Sequence, residues 1–239
     1  MHYQMRRPSG GIIELASCYS IGLYHLSPIL RQFRLDHADI EIRVRYGSID
    51  HAHMAVINNE VDLGLVCYPR RLQGLAADLF RNERLLLVCH PQHPLAERSM
   101  IEIQELAEQK FIAWQEIQYS PFLKRIPKHR QHLFKPVYEF NEVEMVKRMV
   151  EMNEGIAILP ESTVQSEIAG QQLVALLFEN GGHTEPLAVI YRKQRKLTPA
   201  MTNFIKALKK PALPAIQYQQ PSTPFLSSVS NRVNCQLQA

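Results

Sequence analysis

The chain has 239 residues, 46% of them hydrophobic and 21% charged, with a formal net charge of +4. That composition suits a globular protein of one large or two moderate domains, and so small a net charge with no long basic run gives little ground for nucleic-acid binding. No stretch approaches the roughly 18 apolar residues that span a bilayer, and four widely spaced cysteines (Cys18, Cys67, Cys89, Cys235) read neither as a disulfide framework nor as a zinc site.

Residues 1–10 are polar and include Arg6, Arg7 and Pro8, which predicts a flexible lead-in or linker remnant. No apolar run follows the arginines, so no secretory signal is read and the cytoplasm is the expected compartment. A strand is predicted over 12–16, closing on the run Ala16–Gly22 (ASCYSIG), after which Leu23, Leu26, Leu30 and Phe33 recur at helical spacing. Such a strand-to-helix corner presents backbone N–H groups that lack partners, and the hydroxyls of Ser17, Tyr19 and Ser20 surround it. The corner reads either as a helix cap or as a place to hold a small polar ligand. Pro28 predicts a kink or a two-part helix, with Ser27 capping the second part.

Ile40, Ile42, Val44 and Tyr46 alternate with Glu41, Arg43 and Arg45, the pattern of a strand with one wet face. Gly47 and Ser48 form a second strand-to-helix corner, before a helix over 49–59 with Ala52, Val56 and Ile57 inward. Residues 61–66 are nearly all apolar, as expected of a strand covered on both faces, and end at Cys67-Tyr68-Pro69. Strands and helices alternating with short links imply a parallel sheet with right-handed crossovers.

Further on, 85–89 reads as a buried strand, 101–107 as a small helix and 111–114 as a strand ending at Gln115-Glu116. Residues 120–133 are basic and helical in pattern; a solvated helix face is their ordinary reading. A strand over 137–140 follows. Asn141, with Glu144 three residues on, has the form of a capping box for a helix that keeps Val143, Val146 and Val150 together and stops at Gly155. Strands are predicted over 155–160, 173–178 and 187–191. Thr198-Pro199 opens a last helix with Ala200, Phe204, Ile205 and Leu208 inward and three lysines at its end, which suits the helix dipole. Residues 211–239 hold four prolines and one charged residue, Arg232, and predict a disordered tail.

The runs SCYSIGLYHLSPIL, IEIRVRYGS, VDLGLVCYP, LLLVCHPQHPLA, FI and VEMVKRMVEMNEGIAILPE, in that order, resemble the effector-binding (substrate-binding) domain of LysR-type transcriptional regulators over about residues 10–210. The resemblance implies an α/β fold of the periplasmic-binding-protein type 2 kind, with two subdomains, crossover strands near Leu87 and Val189, and a central cleft for a small effector. Regulatory subdomain I would comprise 11–88 plus 188–210, and subdomain II 89–187. A homodimer or higher homo-oligomer is implied, with no cofactor and no membrane partner. Residues 139–161 look most like regulators of carbon-fixation or sulfur-assimilation genes. The family's N-terminal winged helix-turn-helix has no counterpart in this sequence, so DNA is an expected partner only where the full gene product carries one; truncation, a misassigned start and a free-standing sensor are the alternatives.

Ligands of wound α/β sheets sit beyond the carboxyl ends of the strands. That rule, with the resemblance, selects Cys18, Tyr19, Ser20, Gly47, Ser48, Cys67 and Tyr68 from the first half and Trp114, Gln115, Asn141, Glu142, Gly155 and Ile156 from the second. Each has a plainer reading: Ser20, Ser48 and Asn141 as caps, Tyr68 and Trp114 as core, Cys18 and Cys67 as buried packing rather than a thiol sensor. Arg70 and Arg71 are read as solvated before they are read as an anion clamp, and the His51/His53 and His90/His93 pairs offer a metal too few ligands. Two hydroxyl-bearing helix N-termini facing one cleft make a small anion one candidate effector. A transporter solute-binding protein shares the fold, but no signal or lipid-attachment cysteine stands near Met1. An enzyme would need a nucleophile–base pair or paired carboxylates, and the sequence pattern offers neither.

Overall fold

The computed structural model describes residues 10–120, 135–179 and 183–210. The lead-in through residue 9, most of the basic segment 120–133 and the tail after 210 lie outside the described residues.

Three parallel strands open the fold: β1 (Gly11–Cys18) lies between β2 (Ile40–Gly47) and β3 (Leu63–Cys67). Their register pairs Cys18 with Gly47 and Ser17 with Leu65, so the three strands finish at one edge of the sheet. Between them run α1 (Tyr19–Ile21), a π-helical turn (Gly22–Leu26), α2 (Ser27–Asp36) and α3 (Ile49–Ile57). The expected two-part helix is present, but its joint differs. Ser27 does not cap; it lies in helical conformation and its hydroxyl reaches the Gly22 carbonyl at 3.4 Å. The π turn winds in extra residues and shifts the helical phase, so Leu23 turns outward (58% exposed) while Ile21, His25 and Leu26 are buried. Gly22 lets the Tyr46 ring pack onto the turn: a Cβ would come within 2.2 Å of it, so a larger residue there must push the ring aside.

The long strand β4 (Leu75–Cys89) ties the chain together. Its first ten residues pair antiparallel with β10 (Thr184–Arg192), which in turn pairs with β3. Its last residues pair with β8 (Ala157–Pro160) and β9 (Val174–Phe178). Only 85–89 was readable as strand, because 75–84 carries Asp78, Arg81, Asn82, Glu83 and Arg84 among its apolar residues. The sheet order is β2-β1-β3-β10-β4-β9-β5, with β8 beside β4; β5 is Met100–Ile101. A separate parallel pair joins β6 (Ile112–Trp114) to β7 (Tyr138–Phe140).

Three helices complete the description: α4 (Val143–Glu151), α5 (Glu161–Ala169) and α6 (Pro199–Leu208). Thr198 caps α6 as expected, accepting from Met201 N–H at 3.2 Å. Asn141 forms no capping box: the cap position of α4 is Glu142, without a side-chain hydrogen bond, and Asn141 is exposed. The predicted helix over 101–107 is instead the end of β5 and a 3-10 turn, Ile103–Glu108. Helix α5 was not anticipated, since Thr163 and Val164 are its only buried residues.

Buried apolar side chains gather in two halves. One is built on β1–β3, α2, α3 and α6, and the other on the end of β4 with β6, β8, β9 and α4. Among the described residues no helix is long and apolar enough to cross a membrane. In the second half a Cβ on Gly155 would come within 2.4 Å of the Lys110 carbonyl oxygen, which is backbone and has no rotamer to yield with. Gly155→Ala is therefore expected to destabilise the chain by about 1–3 kcal/mol, the usual cost of overpacking, in urea unfolding; an unchanged midpoint would show that the seam between β6 and β8 gives way easily.

Candidate functional site

The sheet edge where β1 and β3 finish meets the end of β6. Strand β1 delivers Cys18, β3 delivers Cys67, and the 3-10 turn after β6 delivers Glu116; all three are buried. Ser20 Oγ donates to Glu116 Oε2 at 3.1 Å, and the Cys67 thiol donates to the same oxygen at 3.2 Å. Cys18 Sγ lies 3.6 Å from Ser20 Oγ. Ser20 is therefore not a cap: the cap position of α1 is Cys18, without a side-chain bond, and the serine hydroxyl is spent across the cleft.

Glu185 of β10 is buried beside Cys67, and its Oε1 has no hydrogen-bond partner among the described residues. Burial pushes the Glu116 carboxyl up to about 7, although the Cys67 and Ser20 hydrogen bonds pull the other way. Burial also lifts Glu185 well above the carboxylate range, and the Cys67 thiol well above its own. These acids sit in a dry seam. They keep their protons at neutral pH far more than exposed carboxyls do.

Beside this cluster the π turn reaches across to the other half at two further points. His25 Nε2 meets Glu83 Oε2 at 2.6 Å and Ser162 Oγ at 3.2 Å, and Ser162 N–H donates to Glu83 Oε1 at 2.7 Å. Burial opposes the Glu83 charge, but the His25 and Ser162 bonds outweigh it and hold this carboxyl below its ordinary value. The Tyr24 hydroxyl bonds to Glu144, and Lys147 Nζ donates to Tyr24 Oη at 3.0 Å, to Glu167 at 2.7 Å and to the Thr163 carbonyl at 3.0 Å. Residues 20–25 thus staple the two halves three times. Between the staples lies a closed crevice, too tight for a water molecule, lined by Ser20, His25, Glu83, Ser162, Glu185 and their neighbours.

Of the residues selected from the sequence, Cys18, Ser20 and Cys67 are brought together. Tyr68 follows at once, buried and in left-handed backbone conformation (φ 49°), with Ser120 beside its hydroxyl, which meets no partner in good bonding geometry. Gly47 ends β2 in line with Cys18, whereas Tyr19 is exposed, and Ser48 is exposed and caps α3 by accepting from His51 N–H at 3.1 Å. Trp114 is buried in the second core and Gln115 is half-buried. Asn141 and Glu142 are exposed beside α4.

Gly155 and Ile156 sit at the entry of β8, where Ile156 pairs with Phe111, while the crevice lies at its exit, at Pro160 and Ser162. Gly155 and Ile156 precede β8, whereas the carboxyl end of that strand, the end the rule selects, is the one that reaches the crevice. Arg70 pairs with Asp50 rather than turning to the crevice. The sequence reading missed His25, Glu83, Glu116, Ser162 and Glu185. Only Glu116, at a predicted strand end, carried a signal that could have found it.

As donor atoms, the Cys18 and Cys67 sulfurs and a Glu116 oxygen all lie within 4.8 Å of one another, the one such group among the described residues able to hold a metal ion.

The family model described as the LysR substrate binding domain matches residues 6–212. The RuBisCO operon transcriptional regulator of Allochromatium vinosum is 24% identical over 197 residues, 82% of this chain and 65% of that protein, so the chain spans slightly less than two thirds of that relative. The regulatory domain of CcmR from Synechocystis PCC6803, solved in complex with 2-PG, superposes with a TM-score of 0.73 at 23% identity, covering 83% of this chain and 96% of that one. The regulatory domain of MetR from N. meningitidis, a LysR family regulator, superposes with a TM-score of 0.69 at 18% identity, covering 83% and 92%. The fold is that of LysR regulatory domains, the periplasmic-binding-protein-like type 2 fold expected from the sequence.

Glu116 yields a pH test. Its carboxyl binds a proton more tightly folded (about 7) than its ordinary value of 4.5, so its contribution to stability is complete below 4.5 and is lost as pH rises through 7. At 1.36 kcal/mol per pKa unit the loss is at most roughly 3 kcal/mol. With a chelator present, Glu116→Gln is expected to be more stable than wild type at pH 8 and to lose that advantage at pH 5. A urea-midpoint difference that does not change with pH would refute the assignment.

Proposed function

Since this chain belongs to the LysR substrate-binding domain family, we propose that it is the effector-sensing part of a LysR-type transcriptional regulator. It binds a small metabolite in the crevice between subdomain I (11–88 with 188–210) and subdomain II (89–187) and performs no catalysis. The observation that carries this reading is the stapled crevice itself. Polar side chains from α1, the π turn, β4, the turn after β6, α5 and β10 converge there and bond mainly to one another. A metabolite that takes over the Ser20 and Glu116 bonds changes the balance between parted and closed halves, which is how a ligand acts on a two-state element.

Charge narrows the class more than size does. The closed crevice has no room even for a water molecule, so a ligand enters only as the two halves part. The sequence ground for an anion, two hydroxyl-bearing helix N-termini, is thinner in the structure, since Ser48 is occupied as a cap and α1 is three residues long. An anion here faces Glu83, Glu116 and Glu185, so it enters with protons on the last two. The cytoplasm, a homodimer and DNA contact through a winged helix-turn-helix elsewhere in the gene product complete the proposal. A transporter solute-binding protein is the second reading; the RuBisCO operon regulator among the relatives favours the first.

Isothermal titration with a panel of carboxylates, phosphates and sulfur compounds tests the proposal. At least one member is expected to bind, and Ser20→Ala to weaken it tenfold or more (about 1.4 kcal/mol, the size of a lost polar contact) with little change in unfolding. An anionic binder is expected to tighten severalfold from pH 8 to pH 6. Full affinity in Ser20→Ala would remove the crevice from the binding site.

A further inference from the structure

We propose that Cys18, Cys67 and Glu116 bind a thiophilic divalent cation, Zn²⁺ being the type, at the seam between the two halves. The inference does not depend on the effector reading: it would stand in a chain that binds no metabolite.

Two wholly buried sulfurs and two buried carboxyls, Glu116 and Glu185, share the seam. The basic groups nearby are engaged elsewhere, His25 with Glu83 and Lys147 with Glu144 and Glu167. The Oε1 of Glu185 has no partner among the described residues, in a place where an unsatisfied polar atom is costly. Two sulfurs and a carboxyl oxygen that already converge form a donor set in which one cation can take the place of the protons.

The donor set then selects the ion. Thiolate with carboxylate suits zinc and its soft neighbours; magnesium and calcium take oxygen alone. A tetrahedral ion with metal–sulfur bonds of about 2.3 Å holds two sulfurs about 3.8 Å apart. The three donor atoms already lie within 4.8 Å of one another, with Cys67 Sγ 3.2 Å from Glu116 Oε2. The closing-in needed is thus about 1 Å or less.

A disulfide between Cys18 and Cys67 is the rival use of the pair. It would bring the sulfurs to about 2.05 Å and end the Cys67 hydrogen bond to Glu116, leaving that oxygen to Ser20. On binding, the ion displaces the thiol protons and the carboxyl proton to solvent, forming two metal–sulfur bonds and one metal–oxygen bond with no change of oxidation state. Three protein ligands leave a fourth position, on the side of Ser20 Oγ, which lies 3.1 Å from the Glu116 oxygen and 3.6 Å from Cys18 Sγ. The ligands come from β1, β3 and the turn after β6, so the bound ion pins the first half to the second.

The test titrates Co²⁺, then Zn²⁺ alone, into the full chain carrying Cys235→Ser. One ion per chain is expected, with the thiolate-to-cobalt charge-transfer band and the intense d–d bands of a tetrahedral site, displaced by Zn²⁺ and accompanied by proton release. Cys18→Ser and Cys67→Ser should each abolish the band, Cys89→Ser should leave it intact, and Glu116→Gln should weaken binding at least tenfold. Absence of the band, or its survival in Cys18→Ser and Cys67→Ser, overturns the site. Should either serine variant fail to fold, unchanged affinity in Glu116→Gln overturns it equally.

Discussion

The structure depends on one constraint: the two halves meet through acids and thiols that are shut away from water. Neighbouring strands β1 and β3 end within a residue of each other, which brings Cys18 and Cys67 together, and the turn after β6 lowers Glu116 onto them. Burying a carboxyl there is tolerable only if it keeps its proton, accepts strong hydrogen bonds or gains a counterion. Glu83 takes the second course, through His25 and Ser162, while Glu116 and Glu185 take the first. The contact between halves is therefore polar, closely fitted and sensitive to whatever donates a proton or a charge.

That sensitivity is what a sensor needs. An apolar seam of the same area would close once and stay closed. A ligand moves a seam of polar groups only by the difference in its affinity for the parted and the closed halves. The π turn concentrates the coupling, because Tyr24 and His25 are neighbours in sequence yet reach α4, β4 and α5. Lys147 strengthens the outer staple: burial opposes its charge, but Glu167, Tyr24 and Glu144 more than restore it.

Much of the fold could be read from the sequence, because period-two and period-3.6 patterns report one-sided burial. β1, β2, β3, α3 and α6 followed from such patterns, and so did the meeting of Cys18 with Cys67. The failures have local causes. The π turn moved Leu23 outward, since the expectation assumed constant helical phase. The first part of β4 and the whole of α5 bury too little on one side to show a period. Gly155 and Ile156 lie at the amino end of β8, away from the carboxyl end that reaches the crevice. Charged residues at the seam, Glu83 and Glu185 above all, read as surface in any pattern analysis. Only the fold reveals that water does not reach them.

The central claim is that small molecules act at this seam and not elsewhere on the chain. Hydrogen exchange followed by mass spectrometry, with and without the tightest binder from the metabolite panel, tests it most directly. The account predicts slowed exchange confined to the amides of residues 18–22, 83–85, 115–117 and 160–164. Protection over the outer faces of α3 and α6, with those four segments unchanged, would contradict it.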